Sequence, residues 1–263
     1  MSIVTLMTDF GLKDGNVGVM KGVIWRFSPQ AQITDLSHLI GPQNVREAAL
    51  ILARSAPYFP RGTVHVVVVD PGVGTSRRPL AARLGEQYFV GPDNGVITQF
   101  LEWAENSRLA LAFVHLDRPQ FWLPEVSDVF HGRDIFAPVA GRLAAGTDLA
   151  TLGSPITDPL RAVLPQPIRT SGGWQAEIIH IDHFGNLATN LRREHLAGIE
   201  RITLHLAGVT LQGLVRTFGD RSTGELVVLY GSTGSLIVCE VNGSAASRLG
   251  LRVGDPVEVL VDA

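Results

Sequence analysis

Apolar residues come in two textures along this chain. In the first half they form short continuous runs, IVTLMT at 3–8 and VHVVVV at 64–69, with a briefer run at 33–34 leading to Asp35 and another at 87–90. Runs too apolar to alternate and rich in β-branched residues predict strands buried on both faces, as in a parallel sheet. Between the first three runs the spacing becomes helical. Val17, Met20, Ile24 and Phe27 share one face of 15–28, with Asp14 or Asn16 available as N-cap. Asn44 with Glu47 opens a second helix over 45–56 in a capping-box pattern, and Pro57 and Pro60 end it. A third helix is predicted over 133–145, with Pro138 inside it as a potential kink. Strand, helix, strand, helix, strand is the rhythm of an α/β unit with a mainly parallel sheet.

The second texture begins after a break. Pro155, Pro159, Pro165 and Pro167 crowd together before Ser171, Gly172 and Gly173. That composition predicts an α/β N-terminal domain over 1–160, a linker over 161–173 and a second domain over 174–263. Beyond it, AEIIHID, RITLHLA, VTLQGLV, ELVVLY, SLIVCEV and PVEVLV alternate with glycine-containing turns. The expectation is an all-β, barrel-like C-terminal domain.

Composition narrows the function. The 263 residues include 45% hydrophobic ones, enough for a sizeable core, and no apolar run reaches the length of a membrane span. With 22 basic and 25 acidic residues, a net charge of −3 and no basic block, a nucleic-acid partner has no footprint. The single cysteine, Cys239, and the absence of a basic and long apolar leader predict a cytoplasmic protein.

Chemistry is expected where apolar runs end. Asp9, Asp70 and Asp182 each follow such a run and are each followed by a nearby glycine: Gly11, Gly72 and Gly185. Carboxylates at strand ends sit where open α/β sheets bind ligands, although aspartate also serves in ordinary turns. His131, in FHGRDIF, is a candidate base or orienting imidazole. His183 adjoins Asp182, whereas His65, His180 and His205 lie within strand-like runs and read as structural. Asn186 and Asn190 offer amides suited to a base edge or an amino-acid group, and Tyr230 with GSTGS at 231–235 could wall a pocket. Asp9, Asp70 and His131 could in principle ligate a metal, but HxxxH, HxH and paired cysteines are absent. So are GxSxG, GK[ST] after the glycine-rich turn, and GxGxxG after the first strand.

Five segments in order, TDFGLKDG at 8–15, VVDPGVGTSRR at 68–78, GPDNG at 91–95, FHGRD at 130–134 and IDHFGNLATN at 181–190, resemble the S-adenosyl-L-methionine (SAM) hydroxide adenosyltransferases. This is the DUF62 or SAM hydrolase family, related to the fluorinases and chlorinases. The resemblance implies hydrolysis of SAM to adenosine and L-methionine, with no cofactor or metal, in a homotrimer whose site lies at the subunit interface. It implies a catalytic set of Asp70, Arg77 and His131, with Arg78 adjacent and able to exchange roles with Arg77 on a one-residue slip. It assigns Asp9 to the ribose hydroxyls, Asp182 to the methionine amine and Asn186 to adenine; Ser232 and Asn242 would complete the contacts. The halide-using relatives carry an aromatic residue where Asp70 stands and a tyrosine–serine pair where His131 and Gly132 stand. Water rather than halide is therefore the expected nucleophile. Halide-dependent adenosyl transfer and non-catalytic SAM or adenosine binding are the alternatives.

Overall fold

A computed structural model describes residues 2–199 and 201–261. The chain divides into two compact units, Met1–Val163 and Leu164–Ala263. In the first, β1 (Ile3–Thr8), α1 (Asn16–Phe27), β2 (Gln32–Ser37), α2 (Val45–Ser55) and β3 (Val64–Val68) follow one another as the apolar pattern predicts. Then come β4 (Pro79–Leu84), β5 (Gln87–Pro92), α3 (Thr98–Asn106), β6 (Leu111–His115), α4 (Ala137–Ala144) and β7 (Ser154–Ile156). The strand order is β2-β1-β3-β5-β4-β6-β7.

The pairings β2–β1, β1–β3 and β3–β5 are parallel. From β5 outward, β4, β6 and β7 pair antiparallel, so the sheet is mixed around a parallel core. The reason is local: only Gly85 and Glu86 join β4 to β5, and a two-residue loop makes a hairpin, not a crossover. β3 is buried throughout, and its side chains divide between two apolar layers. Val64, Val66 and Val68 pack with Met20, Ile24, Phe136 and Val139 of the α1/α4 side. Val67 and Val69 pack with Ala48, Leu52, Phe100 and Leu101 of the α2/α3 side.

Two helix starts differ from expectation. α1 is preceded by Gly15 with no side-chain cap, so neither Asp14 nor Asn16 serves. α2 has its cap, with the Asn44 side chain accepting from Glu47 N, while Glu47 turns to Gly41 N at 2.9 Å. The segment predicted as one helix over 133–145 is a π-helical turn, Gly132–Phe136, running into α4. Pro138 lies in the first turn of α4, where a missing N–H costs little, so no kink is needed.

The second unit contains β8 (Ile168–Arg169), β9 (Gly173–Ile181), β10 (Leu187–Arg192), β11 (Ile202–Leu206), β12 (Val209–Gln212), β13 (Leu226–Tyr230), β14 (Ser235–Glu240), α5 (Ala245–Leu249) and β15 (Pro256–Val261). Its order is β12-β11-β15-β9-β10-β14-β13, with β8 beside β9, all antiparallel. Val215 N donates to Val228 O at 2.9 Å, which draws the two edges together into a nearly closed, barrel-like sheet. β8 falls inside the stretch whose composition reads as linker: Ile168 and Arg169 pair with Gln175 and Trp174.

Candidate active site

The parallel register sets where the first carboxylates stand. Thr8 lies beside Val68, so Asp9 and Asp70 follow the carboxyl ends of neighbouring strands β1 and β3. Asp9 Oδ2 accepts from Gln43 N at 2.8 Å. After β3 the chain makes a turn in which Val73 N donates to Asp70 O at 3.3 Å, and Arg77 comes back across it. Arg77 Nε donates to Asp70 Oδ1 at 3.1 Å, and Nη2 grips Oδ2. The two side chains are only 6% and 5% exposed, so this is a desolvated fork-on-carboxylate pair.

The same guanidinium reaches the far end of the unit. Arg77 Nη2 is 3.0 Å from His131 Nδ1. Arginine has only donors, so Nδ1 carries the lone pair and the imidazole proton sits on Nε2. Burial, with the neighbouring Arg77 charge adding to it, holds the His131 pKa below its ordinary value. Burial pushes the Asp70 carboxyl above the usual carboxylate value despite the opposing pull of Arg77. Arg77 also stacks over the Phe136 ring at 5.5 Å, while its Nη1 is buried without a hydrogen-bond partner among the described residues. A buried cationic donor left unpaired is costly unless something outside the protein meets it.

Arg78 faces elsewhere. It pairs with Asp93 at 2.7 Å and Asp158 at 3.0 Å, so of the two adjacent arginines it is Arg77 that meets Asp70 and His131. Gly74, at φ +75°, presses so near the 123–130 segment that a Cβ there would collide with the Asp128 carbonyl oxygen. That segment is held by Asp134, whose fully buried carboxylate accepts from Ser127 N at 2.8 Å and from Arg133 Nε at 2.6 Å.

In the second unit Asp182 Oδ1 accepts from Phe184 N and Asn186 N, both at 2.9 Å, and Oδ2 accepts from Asn186 Nδ2 at 2.8 Å. Asp182 and Asn186 therefore stand side by side in one turn after β9. Ala246 N donates to Gly185 O at 3.0 Å, which brings the start of α5 against that turn. Asn242, at φ +56°, bonds Thr223 Oγ1 through Nδ2 at 2.9 Å. Tyr230 lies further along the sheet, opposite Leu236, under the Arg193 guanidinium at 4.2 Å; Ser232 is exposed in the turn beyond. Asp9, Asp70, Arg77 and His131 thus belong to one unit, and Asp182, Asn186, Tyr230, Ser232 and Asn242 to the other.

The sequence left one neighbouring group unmarked. Thr8 Oγ1 lies 2.9 Å from His38 Nδ1, His38 Nε2 lies 3.1 Å from Asp35 Oδ1, and Lys21 Nζ donates to Asp35 Oδ2 at 2.7 Å. It adjoins Asp9 but is assembled from three separate elements, so no local spacing announces it. Among the described residues no group of three or more His, Cys, Asp or Glu is arranged to hold a metal, and no helix is long and apolar enough to cross a membrane.

A family model described as the SAM hydroxide adenosyltransferase N-terminal domain matches residues 4–153, and its C-terminal counterpart matches 176–258. An (R)-S-adenosyl-L-methionine hydrolase of Salinispora tropica is 40% identical over 261 residues, covering 97% of both chains. One of Thermus thermophilus is 38% identical over 266 residues, covering 99% of this chain and 100% of the relative. A fluorinase of an Actinoplanes species is more distant, at 29% identity over 98% of this chain and 97% of its own. Among solved structures, an uncharacterized conserved protein from Thermotoga maritima superposes with a TM-score of 0.89 at 35% identity, covering 98% of this chain and 99% of that one.

Proposed function

The chain belongs to the SAM hydroxide adenosyltransferase family, and on that premise we propose that it hydrolyses S-adenosyl-L-methionine to adenosine and L-methionine. It is an adenosine-forming SAM hydrolase. The observation that carries the mechanism is the buried Asp70–Arg77–His131 cluster with Arg77 Nη1 unpaired.

The sulfonium of SAM already activates C5′. A water oxygen attacks C5′ in line, the C5′–S bond breaks with its electron pair going to sulfur, and methionine leaves as a neutral thioether. Holding water opposite the C–S bond is the main task, and positioning of this kind reaches about 7–11 kcal/mol in the best intramolecular cases. The attacking water must shed a proton. With its proton on Nε2 and Nδ1 occupied by Arg77, His131 is set to donate to the water rather than to accept from it. Asp70 is then the acceptor, and burial makes it a stronger base than a free carboxylate. Arg77 Nη1 supplies a cationic donor that favours the hydroxide-like oxygen.

Asp9 is assigned to the ribose hydroxyls, Asp182 to the methionine amine and Asn186 to adenine, with Ser232, Asn242 and Tyr230 completing the binding groups. The pairing of Asp182 with Asn186 supports a single polar turn serving both ends of the amino-acid and base recognition. SAM is the substrate and no cofactor takes part. The homotrimer with its site at the subunit interface belongs to the same reading. Leu12 and Leu39 at 72% exposure and Val129 at 77% flank the loops of Asp9 and His131, and Phe184 at 72% adjoins Asp182, apolar surface that a second copy would cover. A cytoplasmic setting belongs to it too: Cys239 is a buried free thiol, pushed up to about 12 by burial.

One observation weighs against halide transfer. A Cβ at Gly132 would meet Met20 Sδ, Phe130 Cε2 and Val68 Cγ1 all at 3.3 Å, so a halide-holding side chain there is cramped. The test is incubation with SAM in ¹⁸O-labelled water containing chloride. Adenosine labelled at its 5′ oxygen, with methionine in equal amount, is expected. A 5′-halo product, or SAM bound without turnover, would overturn the reading.

A further inference from the structure

The motif GPDNG at 91–95 closes β5 and has so far no part in the chemistry. The loop bearing Asp70 and Arg77 leaves the sheet after β3 and re-enters it at β4. In the strand order β5 lies between those two, so the loop's ends are two strand spacings apart, roughly 10 Å. Whatever stands at the end of β5 governs that opening.

We propose that Asp93 and Asn94 are positioning residues that clamp both ends of the Asp70–Arg77 loop and thereby set the fork of Arg77 on Asp70. Asn94 Nδ2 donates to Val69 O at 2.9 Å, one residue before Asp70. Its Oδ1 accepts from Val96 N at 3.2 Å, which fixes which way the amide faces. Asp93 holds the other end, one residue after Arg77. Its N donates to Arg78 O at 2.9 Å, and its fully buried carboxylate takes Arg78 Nε at 2.9 Å on Oδ2 and Leu160 N at 2.7 Å on Oδ1. Arg78 is steadied in turn by Asp158 Oδ1 at 3.0 Å and Asp158 O at 2.8 Å. Gly91 lets β5 lie close enough for this: a Cβ there would stand 2.5 Å from Val67 O.

Consecutive residues therefore grip positions 69 and 78, the two ends between which Asp70 and Arg77 are held. Among the described residues, neither Asp93 nor Asn94 hydrogen-bonds the Asp70 or Arg77 side chain, so they act through the loop's ends. Shifts of about 1 Å in a catalytic group can cost on the order of a hundredfold in rate.

The inference rests on the hydrolase reading, and the test separates the two. Wild-type enzyme, Asn94→Asp and Arg78→Gln are compared for kcat and KM with SAM across pH, alongside the urea midpoint. Asn94→Asp sets a carboxylate against the Val69 carbonyl; Arg78→Gln breaks the other end at a part-exposed side chain. The expected result is folded protein with kcat lowered roughly tenfold or more and KM within about twofold. The acid limb of kcat should also move to higher pH, because Asp70 loses part of the cation that keeps it ionised. A limb that stays in place, an unchanged kcat, or failure of both variants to fold would make 93–94 a fold element only and overturn the proposal. A wild type that leaves SAM intact would instead overturn the hydrolase reading.

Discussion

At the residue scale, one guanidinium divides the labour. Arg77 donates to both Asp70 oxygens and lies against His131 Nδ1, and the proposed mechanism rests on this in taking the carboxylate as proton acceptor and the imidazole as donor. Asp70→Asn keeps the shape and removes the base. It should lower kcat by about 10²–10⁴ while KM for SAM changes little, read from steady-state kinetics. On the proposed assignment Asp9 serves binding instead, and Asp9→Ala tests it. Losing hydrogen bonds to a charged group costs about 1.5–3 kcal/mol, so adenosine affinity should fall roughly ten- to a hundredfold in calorimetric titration. Unchanged affinity would remove Asp9 from the ribose.

Elements deliver these residues by their ends. β1 and β3 supply Asp9 and Asp70, while the π-helical turn before α4 starts at Gly132 and puts His131 at its N-cap. Gly74 joins the two halves of the cluster by meeting the Asp128 carbonyl. Gly74→Ala should therefore cost more than the ~1–2 kcal/mol of a left-handed alanine. Gly62→Ala is the control: its φ is +79° and nothing lies within 4 Å. Urea denaturation should show the larger loss at 74, with kcat falling only there. Equal losses at both positions would mean that the close approach carries no energy. Strands β1, β2, β3 and β5 and the first two helices of this unit were legible from their apolar spacing, and α2 from its cap as well. α3, β4, β6 and β7 were not read, and the last three strands take their places only through antiparallel pairing in the folded sheet.

On the scale of the whole molecule, stability depends on pH through a group remote from the chemistry. His65 is fully buried in β3, bonded to Thr5 Oγ1 at 2.9 Å and set edge-on to Phe59 and Phe100. Burial lowers its pKa from 6.5 to about 4. Between those values the unfolded chain binds a proton that the folded one refuses, so stability falls as pH drops from 6.5 to 4. The loss attributable to His65 is on the order of 3 kcal/mol. Unfolding free energy measured across this window should fall less steeply in His65→Gln than in wild type; parallel slopes would contradict the burial account.

The sequence by itself determined the strand–helix rhythm, the all-β texture after the proline-rich break, and the strand-end aspartates, because periodicity and turn chemistry are local properties. It left Arg77 one residue's slip from exchanging roles with Arg78, and left Asp70 and His131 competing for the proton. Tertiary structure separated the arginines by giving Arg78 to Asp93 and Asp158, partners fifteen and eighty residues on. It brought residues 70, 77 and 131 onto one buried guanidinium, the arrangement on which the proposed choice of Asp70 as proton acceptor rests. Both outcomes depend on which charges meet after the chain has folded, and adjacency along the chain does not encode that.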